Sequence, residues 1–338
     1  MPPSGSSTSP SSAGFPERRL RRLRRTPALR RLVAETTLTP NDLIAPLFVR
    51  EGIDEPQPIS SLPGVVQFDL ASLETEVGEL VALGVPAVIL FGVPLTKDAV
   101  GSGASDPDGI VQVALRRLRD RFGDDIVLMA DLCLDEYTDH GHCGLLRPDG
   151  TVDNDSTLVR YGEAALAQAA AGVDVVAPSG MMDGQVRAIR AALDGGGHEE
   201  IAVLAYAAKY ASSLYGPFRD AVDVSIVGGG DRKAYQQDYA NVRESLEEIR
   251  ADIAEGADMI MVKPAVTYLD VLTRARAITD LPLAAYHVSG EYSMIKAAAA
   301  NGWIDGDAVA LEQLTAVKRA GADAILTYFA KEAAAWLS

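Results

Sequence analysis

Two lysines stand where lysine is least at home. Lys209 closes the apolar run IAVLAYAAK (201–209), and Lys263 sits inside ADMIMVKPA (257–265). Both amines therefore rise from segments whose other residues belong in a core. Desolvation lowers a lysine pKa, and a second cation nearby lowers it further. A neutral amine near pH 7 can attack a ketone, giving an iminium that serves as an electron sink. The residue types thus point to Schiff-base chemistry on a ketone substrate. A purely structural role, with each lysine paired to a buried carboxylate such as Asp131, explains one such lysine better than two, because adjacent buried cations are costly.

These lysines belong to a repeating frame. Apolar runs occur at LIAPLFV (43–49), AVILFGV (87–93), DIVLMADLC (125–133) and VDVVAPSG (173–180). They recur at 201–209, at 257–265, in PLAAYHVSG (282–290) and in ADAILTYF (322–329). Near-continuous apolar runs suit strands covered on both faces, as in a parallel sheet. Amphipathic stretches such as LETEVGELVALG and VRESLEEIRADIAEG lie between them, and glycines at 84, 172 and 256 suit left-handed helix caps. Eight such units predict an α/β fold, a (β/α)8 TIM barrel over 41–338. A doubly wound open sheet would carry a glycine-rich phosphate turn after its first strand, and none is present. Strand-end polar residues are then the candidates for chemistry: Asp131, Cys133, Ser179, Lys209, Lys263, Ser289 and Tyr328. Two long connections, 134–156 and 210–240, read as a metal loop and an active-site lid.

Ahead of the barrel, residues 1–16 are Ser, Pro and Gly with little apolar content and are expected to be a disordered tail. Residues 17–40 form a basic arm in which eight arginines between Arg18 and Arg31 are offset only by Glu17. Its Leu20, Leu23, Leu29 and Leu32 make an apolar stripe suited to burial on the acidic body of the same chain or of a second subunit. A net charge of −16 argues against nucleic-acid binding, and no apolar run is long enough to predict a membrane span. Only two cysteines, Cys133 and Cys143, point to a reducing, cytoplasmic setting. A Ser-rich, Arg-rich leader leaves a plastid transit peptide as the alternative.

The chain resembles the porphobilinogen synthase (5-aminolevulinate dehydratase) family. The likeness runs through LIAPLFVREG, LAYAAKYASSLYGPFRDA around Lys209, MVKPA around Lys263, DEYTDHGHCG, PSGMMDG, GGGDRKAYQQD, YHVSGEYSMI and ILTYFA. The resemblance implies condensation of two 5-aminolevulinate molecules to porphobilinogen, with loss of two waters, in tetrapyrrole (heme) synthesis. By position, it implies that Lys263 binds the molecule that becomes the propionate side and Lys209 the one that becomes the acetate side. Ser289 and Tyr328 would hold the first carboxylate, and Arg219, Arg232 and Gln236 the second, with Lys233 also on the lid. Tyr215 and Phe218 would line the substrate site, while Asp131 and Ser179 orient the first substrate's amino group. A homo-octamer is implied too, with the arm wrapped round a neighbouring barrel.

Cys133, Asp135 and Cys143 are spaced by two and eight residues. Zinc-using members of the family carry three cysteines there, and zinc-independent members carry carboxylates, so two thiolates with one carboxylate make a mixed zinc site. His140 and His142 are ligands by type, yet in so turn-rich a loop they equally suit shaping it. Glu244 matches a glutamate that takes a hydrated magnesium in many members. No organic cofactor is implied. The chain departs from the family's usual residues at Gly180, Gln185 and Tyr239, and GGGDRK reads as a glycine insertion before Arg232. A single-lysine aldolase and a barrel that has lost catalysis are the competing readings, and neither explains the second lysine.

Overall fold

The frame is ten strands in chain order: β1 Leu43–Arg50, β2 Gln57–Pro58, β3 Val66–Phe68, β4 Ala87–Val93, β5 Val127–Leu132, β6 Val175–Pro178, β7 Ala202–Lys209, β8 Met259–Lys263, β9 Leu283–His287 and β10 Ala324–Thr327. The structure is a computed structural model that describes residues 18–227 and 230–338. The tail predicted at 1–16, and the glycine pair 228–229 of the stretch read as an insertion, lie outside the described residues. β1 and β4 to β10 pair in parallel, each with the next, and β10 closes the ring on β1 at Leu43↔Ile325 and Ile44↔Leu326. Helices follow the strands, so the predicted TIM barrel is the fold.

Closure is incomplete along one edge. β10 reaches only the first two residues of β1, and β3 takes over that strand's upper end at Phe48↔Gln67 and Val49↔Phe68. β2 pairs with β3 as a short antiparallel hairpin. The sequence reading did not see these strands, since two or three residues show no periodicity. The apolar runs also overestimate strand length, because turns at both barrel rims are buried and therefore apolar. Ser289, read as a strand end, is the first residue of the helix Ser289–Ala300.

The lower rim shows a repeat that the sequence reading passed over. Gly172-Val-Asp174, Gly256-Ala-Asp258 and Gly321-Ala-Asp323 each lead into a strand. The glycines at 172 and 256 end their helices at φ 89° and 107°, in the left-handed region, as their positions predict. Each aspartate then grips the preceding barrel strand twice. Its carboxylate accepts the N–H of Leu128, Val203 or Leu283 at 2.7–2.9 Å, and its own N–H donates to that residue's carbonyl. Such two-point bonds fix strand register at the bottom, where no chemistry is needed.

The chain divides between Thr37 and Leu38. In the first unit, a 3₁₀ turn at Leu20–Arg24 precedes a short helix at Pro27–Leu32, whose Thr26 Oγ1 caps the Leu29 N–H at 3.2 Å. Leu20, Leu23 and Leu32 are exposed. Among the described residues, no helix is long and apolar enough to cross a membrane.

Candidate active site

Lys209 and Lys263 end neighbouring strands and oppose each other in register. This alignment depends on an irregularity. β7 and β8 pair as Leu204↔Met259 and Ala205↔Ile260, but resume as Ala208↔Val262 and Lys209↔Lys263. One extra residue in β7 brings Lys209, rather than Ala208, level with Lys263, which is what a bulge does beside a functional site. Both lysines are only 4% exposed.

Their surroundings differ. The Lys263 amine lies 4.3 Å from the ring centre of Tyr286, 5.0 Å from Phe218, 5.1 Å from Tyr206 and 5.2 Å from Tyr215. Burial, with the Lys209 cation next to it, pushes its pKa down to about 7. The Lys209 amine instead donates to the Ser179 carbonyl at 2.5 Å. Burial alone would lower its pKa, but the thiols of Cys143 and Cys133 and the carboxylates of Asp135 and Asp131 outweigh burial and raise it. The expectation of two depressed lysines thus holds in direction for Lys263 and not for Lys209: Asp131 and Asp135 act on both amines, but at Lys263 burial and the Lys209 cation prevail, while at Lys209 the two cysteines join the carboxylates.

Asp131, at the top of β5, accepts from the Ser179 hydroxyl at 3.0 Å through Oδ2. Burial raises its pKa to about 6 despite both lysines. Glu136 was missed by the sequence reading. It is 2% exposed, stands within hydrogen-bond reach of Asp135, and faces the same cavity as the lysines. Its one signal in the sequence was an acidic pair directly after a core strand, which reads as an ordinary polar turn.

The metal loop folds its predicted ligands together. One donor atom each from Cys133, Asp135 and Cys143 lies within 4.8 Å of the others, and all three residues are buried. Bonds of about 2.0–2.3 Å to one tetrahedral ion need donors nearly this close, so two thiolates and a carboxylate fit a metal after small side-chain adjustments. Arg232 reaches into this group, 2.7 Å from Asp135 Oδ2, donating to Gly141 O at 2.7 Å and to Cys143 Sγ at 3.5 Å. Burial would raise the Asp135 pKa, but Arg232 and Lys209 hold its carboxyl below the usual range. Tyr161 props the loop from beneath, donating to Cys143 O at 2.7 Å. Here one departure finds its reason: a Cβ on Gly180 would run into the Tyr161 hydroxyl. The Gln185 side chain accepts from Met182 N at 3.2 Å, pinning the same turn, and Tyr239 is exposed. His140 Nδ1 accepts from His142 N at 3.1 Å and so shapes the loop; neither histidine joins the metal-compatible groups among the described residues.

Both lysines, Asp131, Asp135, Ser179, Tyr215, Phe218, Arg219 and Arg232 line one cavity of about 10 Å³, room for roughly one water. A substrate of several heavy atoms does not fit that space as it stands; Tyr215, Phe218, Arg219 and Arg232 come from the connection read in the sequence as a lid. Ser289 and Tyr328 stand behind this wall. The Ser289 hydroxyl accepts from Phe218 N at 3.0 Å and donates to Leu214 O at 3.2 Å, while the hydroxyls of Tyr328 and Tyr286 are 2.9 Å apart. Ser289 is thus tied to Leu214 and Phe218, and Tyr328 to Tyr286 of β9. Gln236, Lys233 and Glu244 are not in the lysine cavity; they line a neighbouring one of about 400 Å³. Lys233 is exposed beside Asp231, and Glu244 is exposed at the start of the helix Arg243–Glu255, accepting from Asn241 at 3.1 Å.

Comparison with known proteins gives one consistent picture. A family model described as "Delta-aminolevulinic acid dehydratase" matches residues 17–336. A protein of that name from Streptomyces coelicolor is 59% identical over 322 residues, covering 95% of this chain and 97% of that one. Another from Mycobacterium tuberculosis is 57% identical over 330 residues, covering 97% and 100%. The crystal structure of a Toxoplasma gondii delta-aminolevulinic acid dehydratase (porphobilinogen synthase), in complex with the reaction product porphobilinogen, superposes with a TM-score of 0.93. It is 46% identical and covers 95% of this chain and 91% of that one.

Proposed function

The chain belongs to the delta-aminolevulinic acid dehydratase (porphobilinogen synthase) family, and from that premise we propose how its own residues divide the work. The reaction is the asymmetric condensation of two 5-aminolevulinate molecules to porphobilinogen with loss of two waters, a step of porphyrin synthesis. The observation that carries the division is the register-paired lysines with opposite surroundings.

Lys263 is the amine ready to react. With a pKa of about 7 it is half neutral at neutral pH, and it attacks the ketone of one substrate, releasing water as the iminium forms. The aromatic rings around it accommodate the resulting cation. Lys209 takes the ketone of the second substrate in the same way once its proton has left. Asp131, with a pKa of about 6 and contact to the Ser179 hydroxyl, is placed to accept and return protons between the two lysines. Opening the lid frees the Ser289 hydroxyl, which with that of Tyr328 takes one substrate carboxylate, and frees Arg219 and Arg232 for the other. Phe218 and Tyr215 close over the Lys263 side and exclude water.

Cys133, Asp135 and Cys143 would hold zinc, which would supply Lewis-acid polarisation and offset the negative charge that keeps Lys209 protonated. Arg232 already lies against Asp135 and Cys143, which supports a cation-seeking cluster. Glu244 is the candidate magnesium ligand at a second place. The exposed leucines of the arm support assembly through it, into a homo-octamer, and the free cysteines suit the cytoplasm.

The test is porphobilinogen formation from 5-aminolevulinate by chelator-stripped protein, with zinc or magnesium added back separately, alongside borohydride trapping and peptide mapping. Adducts on Lys263 and Lys209, with product restored by zinc, are expected. Product with no adduct on either lysine would sink the lysine assignment, and product in metal-free protein would remove zinc from the chemistry.

A further inference from the structure

Two carboxyl oxygens in the active-site wall have nothing to bond. Asp131 Oδ1 and Glu136 Oε2 are both fully shielded from solvent and lack a hydrogen-bond partner among the described residues. Their residues are 8% and 2% exposed, and both line the lysine cavity. A bare acceptor in a dry wall is costly, so two facing one cavity await a donor that comes with the ligand. The other oxygen of Asp131 takes the Ser179 hydroxyl, and the Glu136 carboxyl leans on Asp135. The Tyr206 hydroxyl, also buried without a partner, stands within reach of Asp131, whereas no donor is placed for Glu136 Oε2 among the described residues.

We propose that Glu136, together with Asp131, binds the primary ammonium of the substrate, making Glu136 a recognition residue for the amine-bearing end of 5-aminolevulinate. This rests on the reading that ketone and lysine form a Schiff base in this cavity. An ammonium offers three N–H donors in a compact head, which matches two separated acceptors better than a planar or single-donor group would. Either protonation state of Glu136 leaves Oε2 able to accept. The pair discriminates against keto acids that lack the amine, since binding one of them would leave both oxygens bare. A metal is the competing occupant, because Asp131, Cys133 and Glu136 also place one donor atom each within 4.8 Å of the others. The ammonium is favoured since Cys133 is already claimed by the more sulfur-rich group with Asp135 and Cys143.

The experiment compares 5-aminolevulinate with 4-oxopentanoate, the same keto acid without its amine, by borohydride trapping on the zinc-loaded enzyme. In E136M, which keeps the side-chain length and removes the acceptor, half-maximal trapping of 5-aminolevulinate should need about tenfold or more higher concentration, the scale of one lost charge-assisted hydrogen bond. Trapping of 4-oxopentanoate should be unchanged, as should bound zinc and the melting temperature. E136D, which keeps the carboxyl one methylene shorter, should recover part of the discrimination. Equal weakening for both acids would make Glu136 merely structural, no change for either would make it idle, and loss of zinc in E136M would make it a metal ligand; each overturns the proposal. Wild-type protein that traps neither acid would fail the Schiff-base reading itself, a result distinct from all three.

Discussion

The two halves of the active site use one side-chain type under opposite conditions. Around Lys263 the wall is aromatic, with four ring centres between 4.3 and 5.2 Å from the amine. Around Lys209 it is charged and metal-binding in type: Asp131, Asp135, Cys133, Cys143 and, through Asp135, Arg232. Burial is nearly the same for both, so burial does not distinguish them. What differs is the balance: Asp131 and Asp135 act on both amines, but at Lys263 burial and the Lys209 cation prevail, while at Lys209 the two cysteines join the carboxylates. The dry half favours a neutral, nucleophilic amine, while the charged half stores a proton until something offsets its negative groups. An enzyme that joins two identical molecules in unlike roles needs such an asymmetry, because the substrates themselves supply none.

The largest break in the comparison is to remove each lysine in turn. Lys263→Ala should lower product formation by at least about a thousandfold, the scale of losing a covalent nucleophile, and should abolish the first trapped adduct. Lys209→Ala should lower turnover comparably yet leave that first adduct on Lys263. Equal loss of trapping in both variants would show that the halves do not act in sequence. The wild-type acid limb follows from the same assignment. Below about pH 7 Lys263 is protonated, so kcat/KM should fall about tenfold per pH unit on further acidification.

Next in size is the ion pair that anchors the charged half. Asp135 and Arg232 are both buried and 2.7 Å apart. Asp135→Asn leaves a guanidinium without its partner and should destabilise metal-free protein by about 3–5 kcal/mol, read from denaturant unfolding. The variant should also bind zinc more weakly than wild type. Stability within about 0.5 kcal/mol of wild type would mean that the lid arginine finds another partner and that the cluster is not its anchor.

The support beneath that half gives a smaller effect. Gly180→Ala puts a methyl against the Tyr161 hydroxyl, whose bond to the Cys143 carbonyl then has to yield. A loss of about 1–3 kcal/mol is expected, and Tyr161→Phe in the same chain should relieve part of it. Additive losses in the double variant would show that the two residues do not meet.

How legible this was depended on how unusual each residue was for its place. A lysine in an apolar strand is conspicuous, and the eight runs carried the barrel. The two cysteines stood out because cysteine is scarce in this chain, but Asp135 joined them only through the family resemblance. Glu136 was invisible: an acid beside another acid in a loop looks solvated, and only the fold buries it. The register shift in β7 could not be read either, since IAVLAYAAK is apolar throughout and nothing in it marks an extra residue. The Gly-x-Asp rim was legible but unread, because its aspartates are the second residues of runs that were read for their apolar content. The opposite fates of the lysines depended on a loop some seventy residues away from Lys209 in sequence, and no local pattern holds that.

The dry half yields the finest test, because two effects of one ring oppose each other there. The Phe218 ring centre lies 5.0 Å from the Lys263 amine. As an apolar wall it disfavours the charged amine, and as a π-face it favours it by about 0.5–2 kcal/mol. Phe218→Leu keeps most of the wall and removes the π-face. The Lys263 pKa should then fall rather than rise, by about 0.4 to 1.5 units at 1.36 kcal/mol per unit. The acid limb of kcat/KM would move to lower pH by the same amount, and activity near pH 6 would increase relative to wild type. A limb displaced to higher pH would mean that the leucine admits water and that the ring served chiefly to keep the amine dry. The contrast between the two halves would then rest on exclusion of solvent rather than on what the walls themselves present.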